Sequence, residues 1–207
     1  MNLLPAFLKL AGRRCLVAGA GRVAEEKIAG LLAAGADVRV EAPLAAPRVR
    51  AWARSGRIRW EARDFRAADL AGAFLIVAAT SSPALHRRIY ALARRRGVLC
   101  NVVDDPEHCD FYYGAVVRRG ALQIAISTGG RSPALAQRLK KRLEREFGAK
   151  YERWLEELGE ARRNLLAQAM SPKRRRALLH GLASGISFEK FLRRRKRGRR
   201  KARRHRP

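Results

Sequence analysis

Short apolar runs alternate with amphipathic segments over the first hundred residues of this chain. The apolar runs predict β-strands at residues 15–21, 37–43, 57–63, 74–80 and 98–104. After the first run, apolar residues recur at helical spacing until Gly35, and residues 83–97 form a second helical segment behind the N-cap Ser82. Strands that alternate with helices predict a parallel sheet covered on both faces, which is an α/β fold of the Rossmann type.

The pattern changes after residue 113. Residues 114–127 contain two short strands around a turn, which predicts a β-hairpin, and a helix follows behind the N-cap Ser132. The residues from 150 onward have the pattern of further helices. We therefore predict a Rossmann-type domain (1–113), a small α+β region of hairpin plus helix (114–147), a helical module (148–192) and a basic, disordered tail (193–207).

The segment between the first predicted strand and helix has the pattern of a dinucleotide-binding turn. Its sequence, GAGRVA, fits G-x-G-x-x-A, with Gly19, Gly21 and Ala24 at the small positions. Gly19 allows a tight turn, Gly21 lets the backbone approach a pyrophosphate, and Ala24 permits close packing of helix on strand. The helix N-terminus offers N–H groups to phosphate. The pattern indicates dinucleotide binding; the alternative is that the glycines serve packing alone.

An acidic residue at the end of the second predicted strand bears on which dinucleotide binds. Glu41 lies 20 residues after Gly21. A carboxylate there accepts hydrogen bonds from ribose hydroxyls and repels a 2′-phosphate, which favours NAD over NADP. Arg39 and Arg48 lie nearby in the sequence and argue for the opposite preference. The other residues that we assign to the cofactor are Arg22, Val23, Pro43, Leu44 and Thr80.

Acidic and sulfur-containing side chains cluster in CNVVDDPEHCDF, residues 100–111. A metal site, a catalytic carboxylate and a plain turn are the three interpretations of this cluster. Ligands of parallel sheets bind at the carboxyl ends of the strands, and both Thr80 and Asp104 follow such ends. We therefore expect Asp104 to lie at the edge where a dinucleotide binds.

The remaining side chains of the cluster fit a turn better than a metal site. Cys100, His108 and Cys109 do not have the spacing of a structural zinc site, so we predict no metal held by the protein. We expect Glu107 and Asp110 to be turn or capping residues.

A glycine-rich loop, STGG, lies between the predicted hairpin and the helix after it. Its hydroxyls and backbone N–H groups suit a carboxylate or a phosphate, and we assign Ser127, Thr128 and Gly129 to substrate binding. The alternative is a turn that only connects the two elements.

Length and composition restrict the classes of protein to which this chain can belong. A chain of 207 residues with 47% hydrophobic residues has enough material for one full core and a smaller appendage. No apolar run approaches the ~20 residues that span a bilayer, and the first residues lack the pattern of a signal peptide. Three cysteines without framework spacing indicate reduced thiols. We expect a cytoplasmic protein that does not bind membranes.

The chain is strongly basic, with a formal net charge of +28. Residues 193–207 hold eleven Lys and Arg, and removing them leaves +17 spread through the body. A terminal basic block binds polyanions without specificity, whereas positive charge in the body attracts any anionic partner. Nucleic acid and a small polycarboxylate both meet this condition.

The motifs together resemble one family, the precorrin-2 dehydrogenase / sirohydrochlorin ferrochelatase family, which also forms the N-terminal module of siroheme synthases. The resemblance rests on the order and spacing of LPAFLKLAGRRCLVAGAGRVAEEKIAGLLAAGADVRVEAP, AAT, NVVDDPEHCDF and AISTGGRSPALAQRLKKRLE. It covers roughly the first 150 residues. A general dehydrogenase would not carry the second half of this set.

The resemblance implies NAD-dependent oxidation of precorrin-2 to sirohydrochlorin and, in bifunctional members, insertion of Fe²⁺ to give siroheme. It implies a homodimer built through region 114–147. The family's essential aspartate falls on Asp104, which we expect to be the general base. Asp105 falls on a variable position, and Thr128 stands where the family often has serine.

A different class of function remains as the alternative. The chain could be a non-enzymatic NAD-binding module that binds nucleic acid through its basic surface. Nucleic-acid binding is expected only through the tail, whereas the enzyme's partner would be an anionic tetrapyrrole, held by the basic surface.

Overall fold

We describe residues 3–193 of the chain from a computed structural model. The chain forms two compact units, one ending at Tyr113 and the other beginning at Gly114. The predicted tail, 193–207, lies outside the described residues except for Arg193.

The first unit contains a five-stranded sheet in which all neighbouring strands are parallel. Its strands are β1 (Arg14–Ala18), β2 (Asp37–Glu41), β3 (Arg59–Glu61), β4 (Leu75–Ala78) and β5 (Leu99–Val102). The spatial order is β3-β2-β1-β4-β5. From β1 the chain adds β2 and β3 on one side and then returns to add β4 and β5 on the other side, so the strand order reverses between β1 and β4. The predicted Rossmann-type fold is confirmed.

Three α-helices follow strands of this sheet, and the third has a side-chain N-cap. They are α1 (Arg22–Ala33), α2 (Pro47–Arg54) and α3 (Pro83–Arg95). The hydroxyl of Ser82 accepts a hydrogen bond from the Leu85 N–H at 3.3 Å, as its N-cap pattern predicts. The apolar pattern did not indicate α2, because only Val49 and Trp52 of that arginine-rich helix are buried.

The core of the first unit lies on both faces of the sheet. β1 and β4 are the central strands, and four successive residues of each are almost completely buried. Residues on alternate sides of these strands pack into two separate apolar clusters, as a sheet covered on both faces requires. The carboxyl ends of β1 and β4 meet at the edge where an open α/β sheet binds its ligand.

The second unit begins with an antiparallel hairpin of β6 (Ala115–Arg119) and β7 (Leu122–Ile126). In β7, Leu122, Ile124 and Ile126 are half-buried while the residues between them are exposed, as their alternation predicts. The helices are α4 (Pro133–Glu146), α5 (Lys150–Leu166) and α6 (Pro172–Leu182), and residues 185–193 are also helical. Among residues 3–193, no helix is long and apolar enough to cross a membrane.

Candidate functional site

The turn after β1 is shaped by Gly19. Its φ of +105° is a conformation that residues with a side chain rarely adopt, and a Cβ there would lie 2.3 Å from the backbone oxygen of Ala79. The Gly19 N–H donates to the carbonyl of Glu41 at 2.9 Å, which ties the turn to the end of β2. Glycine is therefore required here both by conformation and by the close approach of β4.

The second glycine of the motif leaves open space at the start of α1. Gly21 is the N-cap residue, and a Cβ built on it meets no atom of the described residues within 4 Å. Within residues 3–193, no side chain caps this helix, so the first N–H groups, including those of Arg22 and Val23, are available to an anion. Ala24 is fully buried against the sheet. The turn thus has the cradle that a pyrophosphate needs.

Glu41 is a buried acid at the carboxyl end of β2. Its side chain is 4% exposed, and its Oε2 has no hydrogen-bond partner within residues 3–193. Burial, and then the nearby charge of Asp69, raises the pKa of Glu41 to about 8. An unpaired buried carboxyl oxygen is costly unless a ligand pairs with it, and ribose hydroxyls are donors of the right kind. The site therefore fits the adenosine end of NAD.

The other residues assigned to the cofactor flank this edge. Pro43 and Leu44 follow β2 and are exposed, Leu44 to 85%. Thr80 lies two residues beyond β4, half-buried, and its hydroxyl accepts a hydrogen bond from the Ser82 N–H at 3.3 Å. The first unit therefore brings the predicted cofactor residues to one edge of the sheet.

Asp104 lies two residues beyond β5, at the same edge, and its side chain is exposed. Its φ is +60°, and it is the one residue other than glycine with a positive φ among those described. Such a conformation costs of the order of 1–3 kcal/mol and is concentrated at functional sites, although aspartate tolerates it better than most residues.

The loop after Asp104 is fastened to β5 by polar contacts. The carboxylate of Asp110 accepts a hydrogen bond from the Cys100 N–H at 2.9 Å, and the Asn101 amide donates to the carbonyl of Phe111 at 2.8 Å. The Cys109 sulfur lies 3.2 Å from the Val102 N–H. Burial raises the pKa of the Cys109 thiol, so this thiol is structural rather than reactive.

Asp105 and His108 form a pair within this loop. His108 Nδ1 lies 2.8 Å from Asp105 Oδ2, and the imidazole meets the ring of Tyr90 edge-on with centroids 5.0 Å apart. The hydrogen bond from His108 lowers the pKa of Asp105. No role was predicted for this pair from the sequence, although an aspartate and a histidine at i, i+3 in a short turn are spaced to form a hydrogen bond.

Lys27 of α1 is a second residue that the motifs did not identify. Its ammonium lies over the ring of Tyr113, 4.0 Å from the centroid, and burial lowers its pKa against an opposing attraction from Glu26 and Asp104. Lys27 and Asp104 are far apart in the sequence and come into electrostatic reach only in the fold, so no local pattern predicts that they interact.

The residues predicted to bind substrate belong to the second unit, in the loop between β7 and α4. Ser127 Oγ accepts from the Gly129 N–H at 3.1 Å, and Thr128 Oγ1 accepts from the Ser132 N–H at 3.2 Å. Both hydroxyls therefore shape the loop as acceptors, and neither donates to a partner among the residues that the structure describes. Threonine performs the same backbone contact that serine would.

Within the described part of the chain, no group of three or more His, Cys, Asp or Glu side chains is arranged to hold a metal ion. The three cysteines are free thiols, and Cys15 and Cys100 are buried.

Two protein families match this chain. Residues 6–115 match a family described as "Putative NAD(P)-binding", and residues 119–146 match one described as "Sirohaem biosynthesis protein central". The first match covers more than half of the chain.

Individual relatives agree with these families. A siroheme synthase of Neisseria meningitidis (serogroup C / serotype 2a) is 46% identical over 144 residues, which is 70% of this chain and 30% of that protein. A siroheme synthase of Methylobacillus flagellatus is 36% identical over 192 residues, 93% of this chain and 41% of that protein. This chain therefore spans less than half the length of these relatives. The solved structure of SirC, a precorrin-2 dehydrogenase, is similar with a TM-score of 0.78 and 28% identity over 94% of this chain and 100% of that one.

Proposed function

Because this chain belongs to the precorrin-2 dehydrogenase / sirohydrochlorin ferrochelatase family, the N-terminal module of siroheme synthases, we propose that it oxidises precorrin-2 to sirohydrochlorin with NAD. The observation that carries this proposal is Asp104, an exposed carboxylate held at positive φ on the ligand-binding edge of an NAD(P)-binding sheet. The family membership confirms the resemblance drawn from the sequence.

The turn after β1 and the end of β2 would hold the cofactor. The pyrophosphate would lie on the N–H groups at the start of α1, in the space left by Gly21, and Glu41 would accept hydrogen bonds from the adenosine ribose. Pro43, Leu44 and Thr80 would line the same edge. Bound NAD⁺ supplies the nicotinamide that accepts a hydride from the substrate.

Asp104 would act as the general base. Loss of a hydride and a proton converts precorrin-2 to sirohydrochlorin, and an exposed carboxylate at the cofactor edge is suited to accept the proton. The Lys27 ammonium lies within electrostatic reach of Asp104, and attraction to that carboxylate opposes the lowering of the Lys27 pKa by burial. Insertion of Fe²⁺ into sirohydrochlorin, which releases two pyrrole protons, would use the same carboxylate.

The second unit would contribute substrate contacts and a dimer interface. The hydroxyl groups of Ser127 and Thr128 and the N–H groups near Gly129 suit the carboxylates of an anionic tetrapyrrole. The apolar row of α4 supports a homodimer, because Leu135 is 48% exposed and Leu139 and Leu143 are only half-buried.

The decisive experiment is formation of sirohydrochlorin from precorrin-2 and NAD⁺, followed by absorbance. The Asp104→Asn variant should lose about 10²-fold or more of kcat, because it removes the base while keeping a residue that tolerates positive φ. Asp37→Asn is the matched control, since Asp37 starts β2 at the opposite end of the sheet. A folded Asp104→Asn protein with normal turnover would exclude Asp104 as the base.

Addition of Fe²⁺ to the completed reaction tests the second step, with siroheme absorbance as the measurement. The alternative function, nucleic-acid binding by the basic tail, is tested by deletion of residues 193–207. We expect that deletion to leave the dehydrogenase unchanged.

A further inference from the structure

Arg63 lies beside the buried acid of the cofactor site, two residues beyond the end of β3. β3 is the parallel neighbour of β2, and Glu61 is the register partner of Glu41, so both side chains are on the same face of the sheet. The Arg63 Nε donates to Glu61 Oε2 at 2.9 Å. The pKa of Glu41 is raised first by burial and then by the charge of Asp69, and the charge of Arg63 opposes this rise. Arg63 therefore belongs to the surroundings of the ribose that we place on Glu41.

The guanidinium of Arg63 is already engaged by acceptors of its own chain. Its Nη1 and Nη2 donate to the two carboxylate oxygens of Asp69 at 2.9 and 2.7 Å, which is the bidentate geometry of a strong ion pair. Nη1 also donates to the Asp64 carbonyl at 3.0 Å, and Nε donates to Glu61. Four of the five N–H groups of this guanidinium are thus donated within the chain.

Asp69 is held in place by more than its contact with Arg63. It belongs to a short 3₁₀ helix, Ala67–Leu70, and its carboxylate accepts the Arg66 backbone N–H at 2.7 Å. The side chain is 10% exposed, and the next residue, Leu70, is buried in the core. Burial acts to raise the pKa of Asp69, but the hydrogen bonds from Arg63 and Arg66 lower it overall. Asp69 is therefore a fixed and charged partner of Arg63.

NAD and NADP differ at this part of the site. NADP carries a phosphate in place of the adenosine 2′-hydroxyl, and an arginine near the end of the second strand accommodates that phosphate in proteins that bind NADP. Arg63 lies in this neighbourhood, but Asp69 and Glu61 offset its charge and occupy its donors. A 2′-phosphate would therefore meet the carboxylates without gaining the guanidinium of Arg63.

We propose that Asp69 sets a preference for NAD over NADP, because its ion pair withholds the Arg63 guanidinium from a 2′-phosphate. This inference rests on the cofactor part of the proposed function. Asp69 is a positioning residue that acts through Arg63 and needs no contact with the dinucleotide. Removal of its charge should free Arg63 to pair with the phosphate, so one substitution should shift the preference towards NADP.

The test is calorimetric titration of the wild type, Asp69→Asn and the double variant Asp69→Asn/Arg63→Gln with NAD and with NADP. Asparagine keeps an oxygen that can accept the Arg66 N–H, so the loop should retain its shape. We expect the Kd for NADP to fall about tenfold or more in Asp69→Asn, the factor of one hydrogen bond between charged groups. The Kd for NAD should change by less than about threefold, and the double variant should lose the gain. A merely structural role of Asp69 would weaken both dinucleotides alike.

Asp64→Asn is the matched control. It removes the same charge from an exposed neighbouring position, where the backbone carbonyl and not the side chain contacts Arg63. The ratio of the two dissociation constants should stay at the wild-type value. Glu61→Gln is a second test variant, because Glu61 is 57% exposed and forms the other ion pair of Arg63. It should raise NADP affinity by a smaller factor, and it serves as the test if Asp69→Asn does not fold.

The outcomes separate this inference from the proposed function. An unchanged ratio in the folded test variant, or the same shift in Asp64→Asn, overturns the role of Asp69 while the dehydrogenase assignment stands. A gain that the double variant keeps would come from another cation, such as Arg39 of β2, and also overturns it. A wild type that binds NADP as tightly as NAD has the same meaning. A wild type that binds neither dinucleotide overturns the cofactor part of the proposed function as well.

Discussion

The turn after β1 requires a residue without a side chain at position 19. The loss of unfolding free energy in Gly19→Ala measures how much stability this requirement controls. An added Cβ would lie 2.3 Å from the oxygen and 2.7 Å from the carbonyl carbon of Ala79. Both are backbone atoms that directly follow the buried strand β4, so they cannot move aside as the end of a flexible side chain would. The φ of +105° adds conformational strain for any residue with a Cβ.

The expected cost has two parts. A positive φ costs an L-residue about 1–2 kcal/mol, and forcing a methyl group into a packed region costs a further ~1–3 kcal/mol. We therefore expect the free energy of unfolding to fall by about 2–5 kcal/mol in Gly19→Ala, out of the ~5–15 kcal/mol of a typical domain.

Substitutions at two other glycines measure the conformational cost and the steric cost separately. Gly12 has a φ of +70°, and no atom in the described part of the chain lies within 4 Å of a Cβ built there, so Gly12→Ala should cost only the conformational ~1–2 kcal/mol. Gly21 has a φ of −80° and equally open space, so Gly21→Ala should leave stability almost unchanged. Its methyl group would instead occupy the space for the pyrophosphate and weaken NAD binding about tenfold or more.

The assay is urea unfolding of the three variants and the wild type, with NAD affinity measured by calorimetry. If Gly19→Ala costs no more than Gly12→Ala, the contact with Ala79 does not shape the turn and the reasoning is wrong. If Gly21→Ala binds NAD normally, the pyrophosphate does not lie where we propose.

Three further predictions concern single side chains. NAD affinity should rise with pH towards the Glu41 pKa of about 8, by at most about tenfold per unit, because bound ribose favours the carboxylate; Glu41→Gln should remove this slope in calorimetric titrations. Asp104→Gly should be about 1 kcal/mol more stable to urea than Asp104→Ala, since only alanine keeps a Cβ at φ +60°; equal stabilities would contradict the strain. Asp110→Ala should lower the free energy of unfolding by about 1–2 kcal/mol by leaving the Cys100 N–H unpaired, and Asp110→Asn by less, because its amide oxygen can still accept.

The hydrophobic periodicity of the sequence predicted most of the strands and helices, because the secondary structure of these segments follows from the order of their own residues. The runs that became β1, β2, β4 and β5 are apolar and short, and Ser82, Ser132 and Ser171 each cap a helix through their own hydroxyl. The pattern was least informative where burial is slight. β3 shrinks to Arg59–Glu61 from the predicted 57–63 because it lies at the edge of the sheet and has no fully buried residue.

Some features of the candidate site could likewise be predicted from the sequence, and others could not. The glycine motif, Glu41 and Asp104 could be found from the sequence, because each must stand at a fixed distance from a strand end for a parallel sheet to bring them to one edge. The raised pKa of Glu41 and the positive φ of Asp104 could not be predicted from the sequence, because both depend on the residues that surround these two in the fold.

The sequence by itself determined the alternation of strands and helices, the dinucleotide turn and the family, because these depend on residue order and spacing. The tertiary structure decided which side chains meet. It set Lys27 over Tyr113, fastened Asp110 to the start of β5, and brought the Tyr90 ring of α3 against His108. Contacts between elements depend on how the chain packs in space, and no local pattern of residues specifies that packing.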